Sequence, residues 1–255
     1  MYIDSHCHLD FPDLAADRAG VLARMQAAGV SHALCVSVNL QDFPRVHALA
    51  LEHEHLFASV GVHPDQPEDD ATTTEQLVTL AAQPKIVAIG ETGLDYFRLD
   101  GPAAWQQERF RRHIRAARQS DKPLIVHTRA AATDTLSIMR DEHAADVGGV
   151  MHCFTESLDV AHAAIDLGFY ISFSGIVTFR NAVDLKEVAR AVPLDRVLIE
   201  TDSPYLAPVP HRGRTNEPSY VPLVAAEIAR LREIPVEEVA RISTRNFHRL
   251  FKVPA

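Results

Sequence analysis

Histidines at positions 6 and 8 stand one residue apart, and His63, Glu91, His127, His152 and Asp202 each close a short apolar run further along the chain. Imidazole nitrogens and carboxylate oxygens are the donors that intermediate divalent cations accept, and they are also the groups that move protons near neutral pH. Four imidazoles (His6, His8, His127 and His152) with two carboxylates (Glu91 and Asp202) exceed the needs of one tetrahedral zinc. They suit two divalent ions (Mg²⁺, Mn²⁺ or Zn²⁺), roughly 3.5–4 Å apart, that share a carboxylate and activate a water. Glu91, central in the order of runs, is the expected bridge. Asp202 is expected to orient the water and take its proton. His63 has no partner two residues away, so it is assigned to a substrate phosphate or the leaving oxygen instead of the ligand core.

Such dispersed residues need elements that bring them together. Short apolar or β-branched runs predict strands at Tyr2–His8, Ala33–Val38, Leu56–His63, Ile86–Glu91, Leu124–His127, Val150–Phe154, Phe169–Phe173 and Val197–Asp202. Helical spacing predicts helices at Leu14–Ala28, Phe43–His53, Glu75–Ala82, Ala104–Arg118, Thr133–His143, Leu158–Leu167 and Ala182–Ala191, with two more near Val221–Arg232 and Val236–Phe251. Alternating strands and helices imply parallel pairing, and this number of units fits a closed (β/α)₈ TIM barrel. A doubly wound sheet would want a Gly-rich phosphate loop after an early strand, and the sequence has none. No Pro/Gly-rich linker divides the 255 residues, so one domain is expected across 1–255.

In such a barrel the carboxyl ends of all strands open on one face, so distant residues meet in one pocket. Strand alternation turns His6 and His8 inward and Cys7 toward the helices. By the same rule Glu200 lies beneath Asp202 and Asp4 beneath His6, either as partners of the ligands or as interior polar packing. The histidines at 32, 47, 53, 55, 113, 143, 162 and 248 fall away from strand ends and read as solvated surface. Asp95, Tyr96 and Arg98 follow Glu91 in what reads as one loop and could line the mouth. Arg129, Arg212 and Arg214 offer guanidinium forks for phosphate oxygens. Phe97 and Tyr205 offer rings for stacking, whereas Trp105 sits in a helical segment and reads as core.

Composition narrows the class. Hydrophobic residues make up 47% and charged residues 23%, the pattern of a compact globular chain. A net charge of −9 argues against sequence-blind adhesion to duplex nucleic acid, which depends on many cationic contacts to phosphate. A narrow grip on one strand end stays compatible with it. No apolar run reaches membrane-spanning length and no signal peptide is recognisable, so a cytoplasmic protein without membrane contact is expected, as a monomer. The three cysteines lack metal-type or redox-type spacing and read as small buried hydrophobes.

The strings "DSHCHLD", "GVHP", "IGETGLDY", "IVHTR", "MHCF", "ETDSPYLAP" and "HRGRTNEP" occur in this order from Asp4 to Pro218. Together they resemble the TatD family of metal-dependent hydrolases. The resemblance implies a TIM barrel with a mono- or dinuclear centre and a deoxyribonuclease activity, a 3′ to 5′ exonuclease on single-stranded DNA. It also implies ligands at His6, His8, Glu91, His127, His152 and Asp202, the positions that the strand-end pattern selects. Ala130 and Arg214 depart from an acidic residue and a lysine common in the family.

The same metals and water could attack an acyl group, as in an ester hydrolase or a D-aminoacyl-tRNA deacylase. A non-catalytic metal-binding scaffold is the alternative from a different class. An open-sided ligand set with a water-binding Asp202 argues for an enzyme, because structural sites close their coordination sphere.

Overall fold

The structure is a computed structural model that describes residues 1–255 except Asp69, Asp70, Arg98, Asp100 and Ala255. Among the described residues, eight parallel strands hydrogen-bond in chain order: β1 (Tyr2–Cys7), β2 (Val30–Cys35), β3 (Leu56–Val60), β4 (Ile86–Asp95), β5 (Leu124–Arg129), β6 (Gly149–Met151), β7 (Phe169–Phe173) and β8 (Val197–Ile199). The ring closes beyond β8, where Asp202 N donates to His6 O (2.9 Å) and His8 N donates to Ser203 O (2.9 Å). This is the TIM barrel that the alternation of patterns predicts.

Helices run between the strands: α1 (Pro12–Ala15), α2 (Arg18–Ala27), α3 (Phe43–Glu52), α4 (Thr74–Ala81), α5 (Ala104–Ser120), α6 (Ala132–Asp141), α7 (Leu158–Asp166) and α8 (Val183–Ala191). Two further helices, α9 (Val221–Arg232) and α10 (Val236–Phe251), follow β8. The expected helix over Leu14–Ala28 is two pieces, because Asp17 leaves the helical region at φ −132° and ψ 42°. α4 begins at a capping box in which Thr73 and Gln76 satisfy each other's backbone N–H groups.

Apolar side chains fill the barrel in layers. At the end away from the carboxyl ends of the strands, Ile3, Leu34, Phe57, Val87, Ile125, Val150, Tyr170 and Leu198 pack together, plugged by Phe247, Leu250 and Phe251 of α10.

The expectation for Asp4 narrows and that for His113 changes. β1 breaks register between Asp4 and Cys7, which interrupts simple alternation. Asp4 takes the second of its two expected roles, buried polar packing: its carboxyl group accepts from Thr201 N (2.9 Å) and His6 N (3.3 Å), and Oδ2 sits 2.5 Å from Thr201 Oγ1. It joins β1 to the residues after β8. His113 is not solvated surface but fully buried on α5, where its Nε2 accepts from Val62 N (3.0 Å) and its Nδ1 donates to Arg109 O (2.8 Å). His32, expected in a helix or loop, is part of β2.

Candidate metal centre and active site

The Glu91 carboxylate lies at the middle of the upper layer. Its Oε2 faces β1, 3.3 Å from His6 Nε2 and 4.0 Å from His8 Nε2. Its Oε1 faces the opposite wall, 2.8 Å from His152 Nε2, 3.3 Å from His127 Nδ1 and 3.3 Å from His63 Nε2. Asp202 Oδ1 adds a second carboxylate on the β1 side, 3.5 Å from His8 Nε2 and 3.7 Å from His6 Nε2. Three groups of ligand atoms, His6/His8/Glu91, His6/His152/Asp202 and His63/Glu91/His127, each fall within 4.8 Å of one another.

Local structure explains why Glu91 reaches this place. Gly93, two residues on, has φ +133°, and a Cβ there would stand 2.0 Å from His127 O. Only glycine lets β4 run this close to β5. The strand continues to Asp95, so Asp95 belongs to β4 and not to the loop expected after Glu91.

The outer ring nitrogens reveal what the centre is built to hold. His8 Nδ1 donates to Val36 O (3.1 Å), His127 Nε2 to Asp95 Oδ2 (3.1 Å) and His152 Nδ1 to Glu200 Oε1 (3.1 Å), while His63 Nδ1 stands 2.5 Å from Asp65 Oδ1 and 3.1 Å from Asp65 N. For His8, His127 and His152 the acceptor is an oxygen that cannot donate, which places a proton on the outer nitrogen and, in the neutral ring, leaves a lone pair on the inner one. In the neutral rings of His8, His127 and His152, three inner lone pairs thus face the two carboxylates. His152 Nε2 lies 2.8 Å from Glu91 Oε1 yet makes no aligned hydrogen bond, and buried His6 Nδ1 has none either. Converging acceptors repel unless positive charge sits between them, so the residues fit divalent cations.

The pKa shifts express the same demand. Burial would raise Glu91, but the imidazoles of His152, His63, His6 and His127 hold its carboxyl well below the usual range. Burial likewise opposes ionisation of Asp202, and His8, His6 and His152 overcome it, keeping it ionised. Burial lowers His63, yet the carboxylates of Glu91 and Asp65 bring it up to about 10. His152 is raised, against burial, by Glu91 and Glu200, whereas burial and the neighbouring His152 lower His6.

His63 has the same-face partner that its sequence setting was read as lacking: it is Asp65, two residues on. The ring also stands as close to Glu91 Oε1 as His127 does. One face of α5 fixes this loop, with Gln106, Arg109 and His113 three and four residues apart. Gln106 Nε2 donates to Pro64 O (3.0 Å), Arg109 Nη1 to Gln66 O (2.9 Å) and Arg109 Nη2 to Pro67 O, while His113 receives Val62 N.

A cavity of about 590 Å³ opens over the cluster, lined among others by His8, Phe11, His63, Asp65, Glu91, His127, Arg129, His152, Asp202 and Tyr205. The other expected substrate contacts divide. Arg129 lines the cavity. Asp95 is buried against His127 and acts on that ring, not on the mouth. Tyr96 points away: its hydroxyl donates to Asp134 Oδ2 (2.8 Å), on the wall of a neighbouring cleft. Arg212 lies over Phe179 at 3.6 Å, and Arg214 is exposed, both outside the cavity lining. Arg98 lies outside the described residues.

Asn216 was not singled out in the sequence beyond its motif. Buried completely, its Nδ2 donates to Thr201 O (2.8 Å) and Tyr205 O (2.6 Å), clasping the segment that carries Asp202. Asp202 itself has φ 55°, a left-handed conformation that the surrounding bonds must enforce. Glu217 continues the clasp, with its carboxylate 2.9 Å from Arg24 Nε and 2.7 Å from Arg24 Nη2 on α2.

Comparison with known proteins decides the family. The family model described as TatD related DNase matches residues 3–252. The chain belongs to the TatD family. It is 50% identical over 256 residues, 99% of this chain and 96% of that protein, to the uncharacterized metal-dependent hydrolase YcfH of Escherichia coli K12. The similarity to the uncharacterized metal-dependent hydrolase YabD of Bacillus subtilis 168 is 42%, over 99% of this chain and 100% of that one. The crystal structure of YjjV, a TatD homologue from Escherichia coli K12, superposes with a TM-score of 0.92 at 32% identity, covering 99% of this chain and 98% of that one. This TatD-family chain is a metal-dependent hydrolase whose His, Glu and Asp side chains are positioned to bind metal. No helix among the described residues is long and apolar enough to cross a membrane.

Proposed function

We propose that this TatD-family protein hydrolyses phosphodiester bonds in DNA, acting as a 3′ to 5′ exonuclease on single-stranded ends. The observation that carries the reading is the convergence of imidazole lone pairs on Glu91 and Asp202 at the floor of an open cavity. Glu91 Oε2 with His6, His8 and Asp202 would hold one divalent ion, and Glu91 Oε1 with His127 and His152 a second. When bound, such ions would supply Lewis-acid neutralisation of the phosphate and a more acidic water.

The chain's own groups complete the reaction. Asp202, kept ionised by the surrounding imidazoles, orients the attacking water and accepts its proton. His63, kept protonated by Glu91 and Asp65, donates toward the leaving oxygen. Arg129 offers its guanidinium from the cavity wall to a non-bridging phosphate oxygen. Glu200 and Asp95 hold the rings of His152 and His127 in place.

The experiment strips the protein of metal, refills it with Mg²⁺, Mn²⁺ or Zn²⁺, and offers end-labelled single-stranded DNA beside simple carboxylic esters and D-aminoacyl-tRNA. Stepwise release of nucleotides from the 3′ end, lost in Asp202→Asn, supports the reading. Turnover of the acyl substrates alone would replace it with the deacylase, and inertness toward all of them with the scaffold.

A further inference from the structure

Tyr205 is an aromatic side chain that the fold does not need where it is. It is 56% exposed, although both ends of its peptide are fixed: its N–H donates to Asp202 O (3.0 Å) and its carbonyl accepts from Asn216 Nδ2 (2.6 Å). A large ring left in solvent on a fixed loop contributes little to burial. Its position relative to the centre is what the loop preserves, since a turn closed by that hydrogen bond keeps the Cα atoms of Asp202 and Tyr205 within about 7 Å.

Phe11 stands beside it. One face of Phe11 lies on the His8 imidazole, with centroids 4.7 Å apart and planes at 20°, and Tyr205 meets Phe11 edge-on at 6.2 Å and 78°. Both rings line the cavity that reaches Glu91 and Asp202. Phe97 is equally exposed, but the Arg129 guanidinium lies 3.9 Å over its ring, and it is Arg129 that faces the cavity. The mouth therefore offers a cation on one wall and open aromatic surface on another.

We propose that Tyr205, backed by Phe11, forms a stacking subsite for the unpaired base of the terminal nucleotide, while the phosphate of that nucleotide lies over the cluster. The assignment rests on the phosphodiesterase reading for its ligand class. Stacking on an aromatic face tolerates every base, and an unpaired base at a strand end is free to turn its face to the ring while its phosphate enters the cavity. The subsite thus selects single-stranded ends without selecting sequence, and the acidic chain needs no long cationic groove.

The test measures binding, which separates it from the hydrolysis experiment above. Deoxyadenosine monophosphate and deoxyribose phosphate are titrated calorimetrically into the Mn²⁺-loaded protein and into Tyr205→Ala, Tyr205→Phe and Phe11→Leu. The wild type is expected to bind the base-bearing ligand about tenfold more tightly. Tyr205→Ala should close that gap and Phe11→Leu narrow it, whereas Tyr205→Phe keeps it. Equal or undetectable binding of the two ligands by the wild type, or an unchanged gap in Tyr205→Ala, overturns the subsite. A gap with the expected variant pattern in a protein that releases no nucleotides from DNA supports the subsite and removes only the exonuclease reading.

Discussion

His63 Nδ1 and Asp65 Oδ1 lie 2.5 Å apart, so the His63 ring is held by a carboxylate that is itself largely exposed. Asp65 is one of the groups that raise the His63 pKa. Asp65→Asn should lower that pKa, and a proton donor is lost when pH rises through its pKa. The alkaline limb of the kcat profile is expected to move to lower pH, whereas His63→Ala, which removes the donor, should cost roughly 10²-fold in kcat. An alkaline limb that stays in place would remove His63 from proton transfer.

Asn216 spans Thr201 O and Tyr205 O, one amide on two carbonyls that bracket Asp202. Asn216→Ala is expected to lower stability by about 2 kcal/mol, because it leaves the buried Thr201 carbonyl and the part-buried Tyr205 carbonyl with a donor fewer. It should also weaken Mn²⁺ binding through Asp202. Glu217→Gln leaves the Asn216 amide in place, so it is expected to shift the thermal midpoint with little change in Mn²⁺ titration. Equal Mn²⁺ affinity in wild type and Asn216→Ala would limit Asn216 to a structural role.

Asp4 tests the buried polar seam between β1 and the residues after β8. Burial pushes its carboxyl from 3.8 up to about 8, despite the hydrogen bonds from Thr201 and His6. An acid whose folded pKa exceeds its unfolded one holds its proton more tightly when folded. Its favourable contribution is complete below pH about 4 and is lost as pH rises toward 8, at roughly 1.4 kcal/mol per pH unit where steepest. Asn reproduces the protonated form, so Asp4→Asn should gain on the wild type in thermal midpoint between pH 5 and pH 8, both measured in chelator. Parallel pH curves for the two proteins would refute the shift.

Gly93 and Gly29 both have positive φ, but only Gly93 is crowded. Gly29→Ala is expected to destabilise by about 1 kcal/mol from backbone conformation alone. Gly93→Ala must in addition displace His127 O, so it should lower the midpoint much further and weaken metal binding at His127. Denaturant titration of both variants compares them, and equal losses would show that β4 and β5 separate easily.

The pattern of residue types along the chain was enough to predict the barrel, because burial on both faces of parallel strands and amphipathic spacing of helices leave periodic marks in sequence. It also selected His6, His8, Glu91, His127, His152 and Asp202, since residues at the carboxyl ends of parallel strands are bound to share one face. Element limits were less legible. β6 and β8 stop short of His152 and Asp202, and β4 runs on to Asp95, because strand ends depend on which backbone groups find partners across the sheet.

What only the tertiary structure decided is the set of contacts between groups far apart in the chain. That Glu200 holds His152 from 48 residues away, that Asn216 clasps the loop of Asp202, and that His113 supports Val62 are matters of three-dimensional proximity. Asp4 illustrates the reason: which of its two expected roles it takes is set by Thr201, 197 residues away in the chain. Residue chemistry and period fix which groups can reach a common mouth, while hydrogen-bond geometry fixes which of them touch the reacting centre and which only hold it.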